Sequence, residues 1–152
     1  MRSANRRPGL DRGFTLAELA MVVVVLGLVL SIGAAGLDRY RRAVVLDRAA
    51  WTARGAMARA RRLAVARREV VRLDLRPGGR LYLRTGDGEE LARVDLADDP
   101  LALDSARLRP WWMRFNPRGQ AAPGSLYLYA GDRGVRVVSN FLGRTRVERF
   151  RL

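Results

Sequence analysis

Glu18 needs a chemical explanation, because it is the one charged residue between Phe14 and Leu37. A carboxylate within a membrane span costs about 2.5 kcal/mol or more, so it marks a functional site and needs a partner. If the chain is cut between Gly13 and Phe14, a new α-amino group lies about one helical turn from Glu18. A cationic amine is a suitable counter-charge for a buried carboxylate. Pairing of this kind between neighbouring subunits would set their register in an assembly.

A second group of candidate residues lies near the C-terminus and consists of Arg144, Arg146, Arg149 and Arg151. The planar guanidinium group binds phosphate oxygens through paired hydrogen bonds. On a regular strand Arg144 and Arg146 would share one face. Two explanations stay open: contact with DNA phosphates, or charges on an edge strand that discourage pairing with other chains.

The composition excludes most catalytic chemistry. The chain has no cysteine and no histidine, which leaves no disulfide, thiolate nucleophile, imidazole base or zinc site of the usual ligands. No other cluster of nucleophile, base or ligand stands out, so we expect no enzyme, no cofactor and no metal site. The pair Asp98 and Asp99 is interpreted as a turn rather than a cation site.

The net charge is strongly positive. Arginine supplies all 29 basic residues, against 15 acidic ones, for a net charge of +14. Such a surface attracts nucleic acid or acidic lipid, although charge alone fixes neither fold nor specificity. Arg54, Arg61 and Arg68 recur on one face of a predicted helix, which is either a solvated face or a polyanion-binding stripe.

The first elements of the chain are a basic leader, residues 1–13, and an apolar segment, residues 14–37. A helix of these 24 residues would be roughly 36 Å long, enough to cross a hydrocarbon core of ~30 Å. The leader charge favours a cytoplasmic N-terminus, although the arginines at 39–42 weaken that preference. We expect a single-pass protein of the inner (cytoplasmic) membrane whose C-terminal domain lies outside the cytoplasm.

Two other interpretations of this region are an ordinary secretory signal and a plain membrane anchor. The secretory signal would use residues 22–29 as its apolar region and a small-residue cleavage site near residues 33–35. The plain anchor would tolerate Glu18 near its cytoplasmic end. Neither explains the residues on both sides of Gly13.

The rest of the chain predicts an α+β fold, with a long N-terminal helix packed on an antiparallel β domain. Residues 38–68 have apolar positions at steps of three and four and continue the helix as an amphipathic segment. Residues 69–152 alternate with period two and contain turn signals, which is typical of antiparallel strands. The predicted strands cover residues 71–76, 80–84, 91–96, 112–115, 125–129, 134–139 and 144–150, with looser structure at 97–110. Trp111 and Trp112 could stack on bases, but we expect at least one of them in the core.

The segment from Gly13 to Glu18, with its basic leader and apolar run, resembles the class III signal of type IV pilins and type II secretion pseudopilins. The resemblance implies that prepilin peptidase cuts after Gly13 and that Phe14 becomes the methylated N-terminus. It also implies that Glu18 guides the addition of subunits to a filament. The expected partners are the peptidase, other pilin or pseudopilin subunits and the inner membrane, before residence in a cell-surface or periplasmic pilus.

The C-terminal half resembles the FimT and GspH branch of minor pilins and pseudopilins. The matching residues lie at 115–119, 123–125, 137–139 and 143–146. The resemblance implies a subunit at or near the filament tip and DNA binding in natural transformation through Gly143, Arg144 and Arg146. Protein export as a GspH-like pseudopilin is the alternative, and a membrane-anchored basic DNA-binding domain unrelated to pili is another.

Overall fold

The structure is a computed structural model that describes residues 15–98 and 103–152, apart from the side chains of residues 33–35. The predicted leader, Gly13 and Phe14 lie outside the described residues, as does Asp99. The chain divides into two compact units, one ending at Asp38 and one comprising Arg39–Leu152.

The helix α1 covers Leu16–Arg67. Its first part belongs to the N-terminal unit and exposes apolar side chains. Within the described residues α1 is the one helix long and apolar enough to cross a membrane. The helix ends where Arg68 takes a left-handed backbone conformation, φ 55°, and the Glu69 amide donates to the Ala64 carbonyl at 3.3 Å.

The second part of α1 is amphipathic, as its periodicity predicts. A stripe of small side chains is buried against the β domain: Ala49, Ala50, Ala53, Ala56, Ala60 and Ala64. Leu46 and Met57 complete this stripe. Because alanine has so little side chain, the helix backbone can approach the sheets closely, and larger residues from the strands fill the space.

Within the described residues, eight antiparallel strands form two four-stranded sheets. The first sheet has the order β3-β2-β1-β5, and the second has the order β4-β6-β7-β8. The strands are β1 Val71–Arg76, β2 Arg80–Thr85, β3 Glu90–Asp95, β4 Ser105–Arg109, β5 Trp112–Phe115, β6 Gly124–Ala130, β7 Arg133–Ser139 and β8 Thr145–Arg151. Alternate side chains of both sheets join the helix stripe in one core, among them Leu73, Leu83, Phe115, Leu126 and Val137.

The structure corrects the sequence analysis in the region predicted to be loose. Residues 105–109 form β4, an edge strand in register with β6. Its polar-apolar alternation is strict but short, because only Ala106 and Leu108 are apolar and Pro110 follows at once. Pairing with a neighbour that is distant in sequence therefore decides its conformation.

The prediction that a tryptophan fills the core is wrong. Trp111 is 88% exposed and Trp112 is 40% exposed. Trp112 lies in β5 on the opposite face from buried Met113 and Phe115. Because successive side chains of a strand point to opposite faces, the Met113 side chain lies in the core and the Trp112 side chain does not.

Candidate functional site

The first turn of α1 forms a capping box around Glu18. The Glu18 carboxylate accepts hydrogen bonds from the Thr15 amide and from the Thr15 hydroxyl, both at 2.9 Å. In return the Glu18 amide donates to Thr15 Oγ1 at 3.2 Å. Each side chain thus satisfies a backbone donor that a helix start leaves without a partner.

Sequence reasoning missed this capping box, although its signal is the spacing of Thr15 and Glu18 itself. It gives the carboxylate a partner within its own chain. The predicted pairing with a new amine at Phe14 involves a residue outside the described ones and stays a prediction.

The helix behind Glu18 presents apolar side chains all around. Between residues 16 and 32, the large apolar side chains at least 50% exposed are Leu16, Leu19, Met21, Val22, Val23, Val24, Val25, Leu26, Leu28, Val29, Leu30 and Ile32. A continuous apolar surface of this size on a helix needs a cover other than water, either lipid or other helices.

At the other end of the sequence, the turn between β7 and β8 is built around Gly143. Gly143 has φ 70°, and an added Cβ would lie 2.7 Å from the Gly119 carbonyl oxygen and 3.1 Å from Arg61 Cδ. Only glycine fits this place without displacing backbone. The neighbouring turn at residues 116–119 is tied to it by the Ala121 amide, which donates to the Phe141 carbonyl at 3.0 Å.

These contacts bring arginines from three parts of the chain to one end of the β domain. The Arg61 side chain of α1 lies against both glycine turns. Arg144 follows Gly143 directly, and Arg118 lies in the neighbouring turn; all three side chains are exposed. We call Arg61, Arg118 and Arg144 the turn arginines. The helical periodicity did identify the exposed face that carries Arg61, but its contact with Gly143 depends on tertiary packing.

Comparison with known proteins decides the family. Residues 49–143 match the family described as type II transport protein GspH. The chain belongs to the GspH family. The matched residues run from the buried stripe of α1 to the Gly143 turn, and the predicted resemblance to minor pilins and pseudopilins is confirmed.

Solved structures confirm the predicted fold. Two crystal forms of the type IV minor pilin FimU of Pseudomonas aeruginosa superpose with TM-scores of 0.55 and 0.57 at 18% identity. They align with 68% of this chain and with 92% and 87% of FimU. The minor pseudopilin EpsH from the type 2 secretion system of Vibrio cholerae gives 0.51 at 13% identity, covering 68% of this chain and 95% of EpsH. No curated protein sequence matches this GspH-family chain significantly.

The four predicted DNA-binding arginines of this GspH-family chain do not form one cluster. Arg144 precedes β8, which begins at Thr145, so Arg144 and Arg146 are not both on the strand. Arg149 lies on the face towards the helix, where its Nε donates to Asp47 Oδ1 at 3.0 Å. Arg151 is exposed at the far end of β8, in register with Arg133.

Arg146 belongs to a different group, centred on Glu148 on the outer face of the second sheet. Glu148 forms ion pairs with Arg136 and Arg146. The hydrogen bond from Arg136, followed by the charges of both arginines, lowers the pKa of Glu148. Hydrogen bonds with Tyr127 and then Glu148 raise the pKa of Arg136. Arg146 therefore has a carboxylate partner, whereas Arg144 forms no ion pair within the described residues.

The acidic residue Asp98 forms a surface ion pair. Its carboxylate lies 2.7 Å from Arg48 Nη1, and both side chains are largely exposed. Exposed pairs of this kind contribute about 0–1 kcal/mol. Among residues 15–98 and 103–152, no group of three acidic side chains is arranged to hold a metal ion.

Proposed function

We propose that this GspH-family protein is a minor pilin or pseudopilin that prepilin peptidase cuts between Gly13 and Phe14. Methylation of Phe14 follows, and the subunit then leaves the inner membrane for a filament outside the cytoplasm. The apolar part of α1, headed by Glu18 and exposed along its length, carries this proposal.

The same apolar surface serves two environments in this proposal. In the membrane, lipid covers residues 16–32, because the hydrocarbon core matches an exposed apolar helix. In the filament, neighbouring helices cover them, and Glu18 pairs with the cationic amine of an adjacent subunit. The capping box keeps the carboxylate hydrogen-bonded until that amine is available.

The first prediction separates the two roles of Glu18. Glu18→Ala should be cleaved normally but incorporated into filaments about tenfold less or worse, since hydrogen bonds to a charged group contribute about 1.5–3 kcal/mol. Thr15→Val is the matched control: it removes the capping hydroxyl, keeps the carboxylate and should assemble normally. Immunoblots of filament and membrane fractions from the native host measure both variants. Normal incorporation of Glu18→Ala would contradict the counter-charge role.

DNA binding is a second candidate function, and the turn arginines favour it. Arg61, Arg118 and Arg144 present positive charge from three segments at one end of the β domain. Clustered guanidinium groups suffice for binding to phosphates irrespective of sequence. In this version of the proposal the subunit contacts DNA during natural transformation, whereas a GspH-like role in protein export would need no such contact.

The second prediction concerns the turn arginines and uses the full chain in non-ionic detergent micelles. Replacing Arg118 and Arg144 together by glutamine should weaken binding to labelled duplex DNA. The log–log salt slope should fall by about 1.8 if each arginine meets one phosphate. Arg107→Gln with Arg109→Gln removes the same charge from β4 and should leave both quantities nearly unchanged. Equal losses of DNA affinity in the two double variants would mean that binding depends on the net charge of the chain and not on these positions.

A further inference from the structure

The outer face of the first sheet, β3-β2-β1-β5, carries charge and aromatic rings that the filament role does not use. Its inner face packs Val71, Leu73, Leu81, Leu83, Met113 and Phe115 into the core. Alternation along each strand turns the intervening side chains outward. These are Arg72, Asp74, Arg76, Arg80, Tyr82, Arg84, Glu90, Arg93, Asp95, Trp112 and Arg114.

Three of these arginines stand in one row across three strands. Arg72 of β1 is the direct register partner of both Arg84 of β2 and Arg114 of β5. We call Arg84, Arg72 and Arg114 the arginine row. Like charges in directly opposite positions destabilise a sheet, so the fold gains nothing from this arrangement.

The arginine row lacks neutralising partners in the part of the chain that the structure describes. No carboxylate there lies within 4.0 Å of its guanidinium groups, although Glu90 is the register partner of Arg84 and Asp74 lies in the adjacent row. Arg72 and Arg114 are exposed, whereas Arg84 is half-buried and its Nε has no hydrogen-bond acceptor. Through Arg72 and Arg114 the row therefore offers positive charge and hydrogen-bond donors to an external anion.

Two aromatic side chains lie in the next row of the same face, one on each side of Asp74. Tyr82 and Trp112 are both register partners of Asp74. The Arg72 guanidinium lies 5.5 Å from the Trp112 ring centroid, and that of Arg84 lies 5.3 Å from the Tyr82 centroid. Adjacent rows on one face are about 7 Å apart, so a ligand can touch both at once.

We propose that this face binds single-stranded nucleic acid, with phosphates on the arginine row and bases stacked on Trp112 and Tyr82. Trp112 is exposed and Tyr82 is half-buried. Positive charge beside accessible aromatic rings is the combination that binds single strands, because every base has a face to stack. A duplex would meet the arginines alone, since its bases are stacked on one another. An acidic peptide would leave the rings without a stacking partner. A second copy of this face would bring six row arginines against each other.

This surface lies on the first sheet, whereas Arg146 lies on the second sheet and Arg144 in the turn before β8. The inference does not rest on the proposed filament role. Processing or assembly can fail without changing Arg72, Arg114 or Trp112. The turn arginines can likewise be dispensable for single-strand binding. The two proposals are therefore tested by different variants.

The test is fluorescence anisotropy of the full chain, in non-ionic detergent micelles, with labelled oligothymidylate. Trp112→Leu should weaken binding about five- to 150-fold, the range for loss of one stacked base, and leave the salt slope unchanged. Trp111→Leu is the matched control, because Trp111 is 88% exposed and no arginine of the described residues lies over its ring. This control should bind like the original protein.

Charge removal supplies the complementary measurement. Arg72→Gln with Arg114→Gln should weaken binding and lower the log–log salt slope by about 1.4, since each single-strand phosphate contributes about 0.7. Arg107→Gln with Arg109→Gln on the other sheet should leave the slope nearly unchanged. Thermal unfolding by circular dichroism verifies that each variant is folded. If the double variant is unfolded, the charge-neutral Trp112→Leu alone decides whether this face binds single strands.

Three results would overturn the proposal. Trp112→Leu binding like Trp111→Leu would remove the stacking contact. Equal weakening of duplex DNA binding and oligothymidylate binding by Arg72→Gln with Arg114→Gln would mean that the face contacts phosphates only. Equal weakening of polyglutamate binding by the same double variant, with no effect of Trp112→Leu on oligothymidylate, would assign the face to an acidic protein partner instead.

Discussion

At the scale of single residues, Gly143 connects the fold to the turn arginines. Its left-handed backbone and its contact with the Gly119 carbonyl oxygen hold the two turns together. The Arg61 side chain packs in the same place. Any side chain at position 143 would push on backbone from one side and on an arginine from the other.

Gly143→Ala should accordingly lower the free energy of unfolding by more than backbone strain alone, which costs about 1–3 kcal/mol. Gly88→Ala is the matched control: Gly88 also has positive φ, 95°, but an added Cβ there meets nothing within 4 Å. Urea unfolding measures the loss in free energy of unfolding for each variant. Gly88→Ala reports backbone strain alone, whereas Gly143→Ala reports backbone strain together with the steric clash. Equal losses would mean that the Gly119 contact does not hold the turns together.

At this scale the sequence predicts individual residues unevenly. The three-residue spacing of Thr15 and Glu18 is the sequence signal of a capping box, so this contact could be predicted from the local sequence. The grouping of Arg61 with Arg144 could not, because it joins a helix to a turn far along the chain. The separation of Arg149 from Arg146 depends on which face of β8 meets Asp47.

At the scale of elements, the buried alanine stripe determines how α1 packs on the sheets. Ala53 and Ala60 are completely buried, and their small size sets the distance from the helix backbone to the strands. Interiors are close-packed, so extra methylene groups there force side chains and backbone apart.

Ala60→Leu should therefore destabilise the Arg39–Leu152 unit by about 1–3 kcal/mol through overpacking. Ala66→Leu is the matched control, since Ala66 lies in the same helix but is exposed, and it should change stability by less than about 0.5 kcal/mol. Chemical denaturation of the full chain measures both. Similar stability of the two variants would show that α1 does not pack closely at Ala60.

The elements themselves are mostly predictable from local patterns. The hairpin of β1 and β2 follows from alternation on both sides of Pro77 and the glycines after it. β4 could not be predicted in the same way, because it has few apolar residues and its strand conformation depends on pairing with β6. The outward position of Trp112 depends on strand register, which hydrophobicity alone does not determine.

At the scale of the whole molecule, one chain combines an exposed apolar helix with a folded, strongly basic β domain. The first part of α1 has an apolar surface that lipid or other helices can cover, and the β domain has a basic surface that attracts anions. Membership of the GspH family connects these properties to a pilin-like subunit. The arginine row adds a basic surface on the first sheet of the Arg39–Leu152 unit.

The most direct test of the central claim is intact mass spectrometry of the protein from its native host, with sequencing of its N-terminal peptide. We expect a mature chain that begins at Phe14 and carries one added methyl group. A chain that retains the leader, or one that begins after the small residues 33–35, would contradict processing as a prepilin.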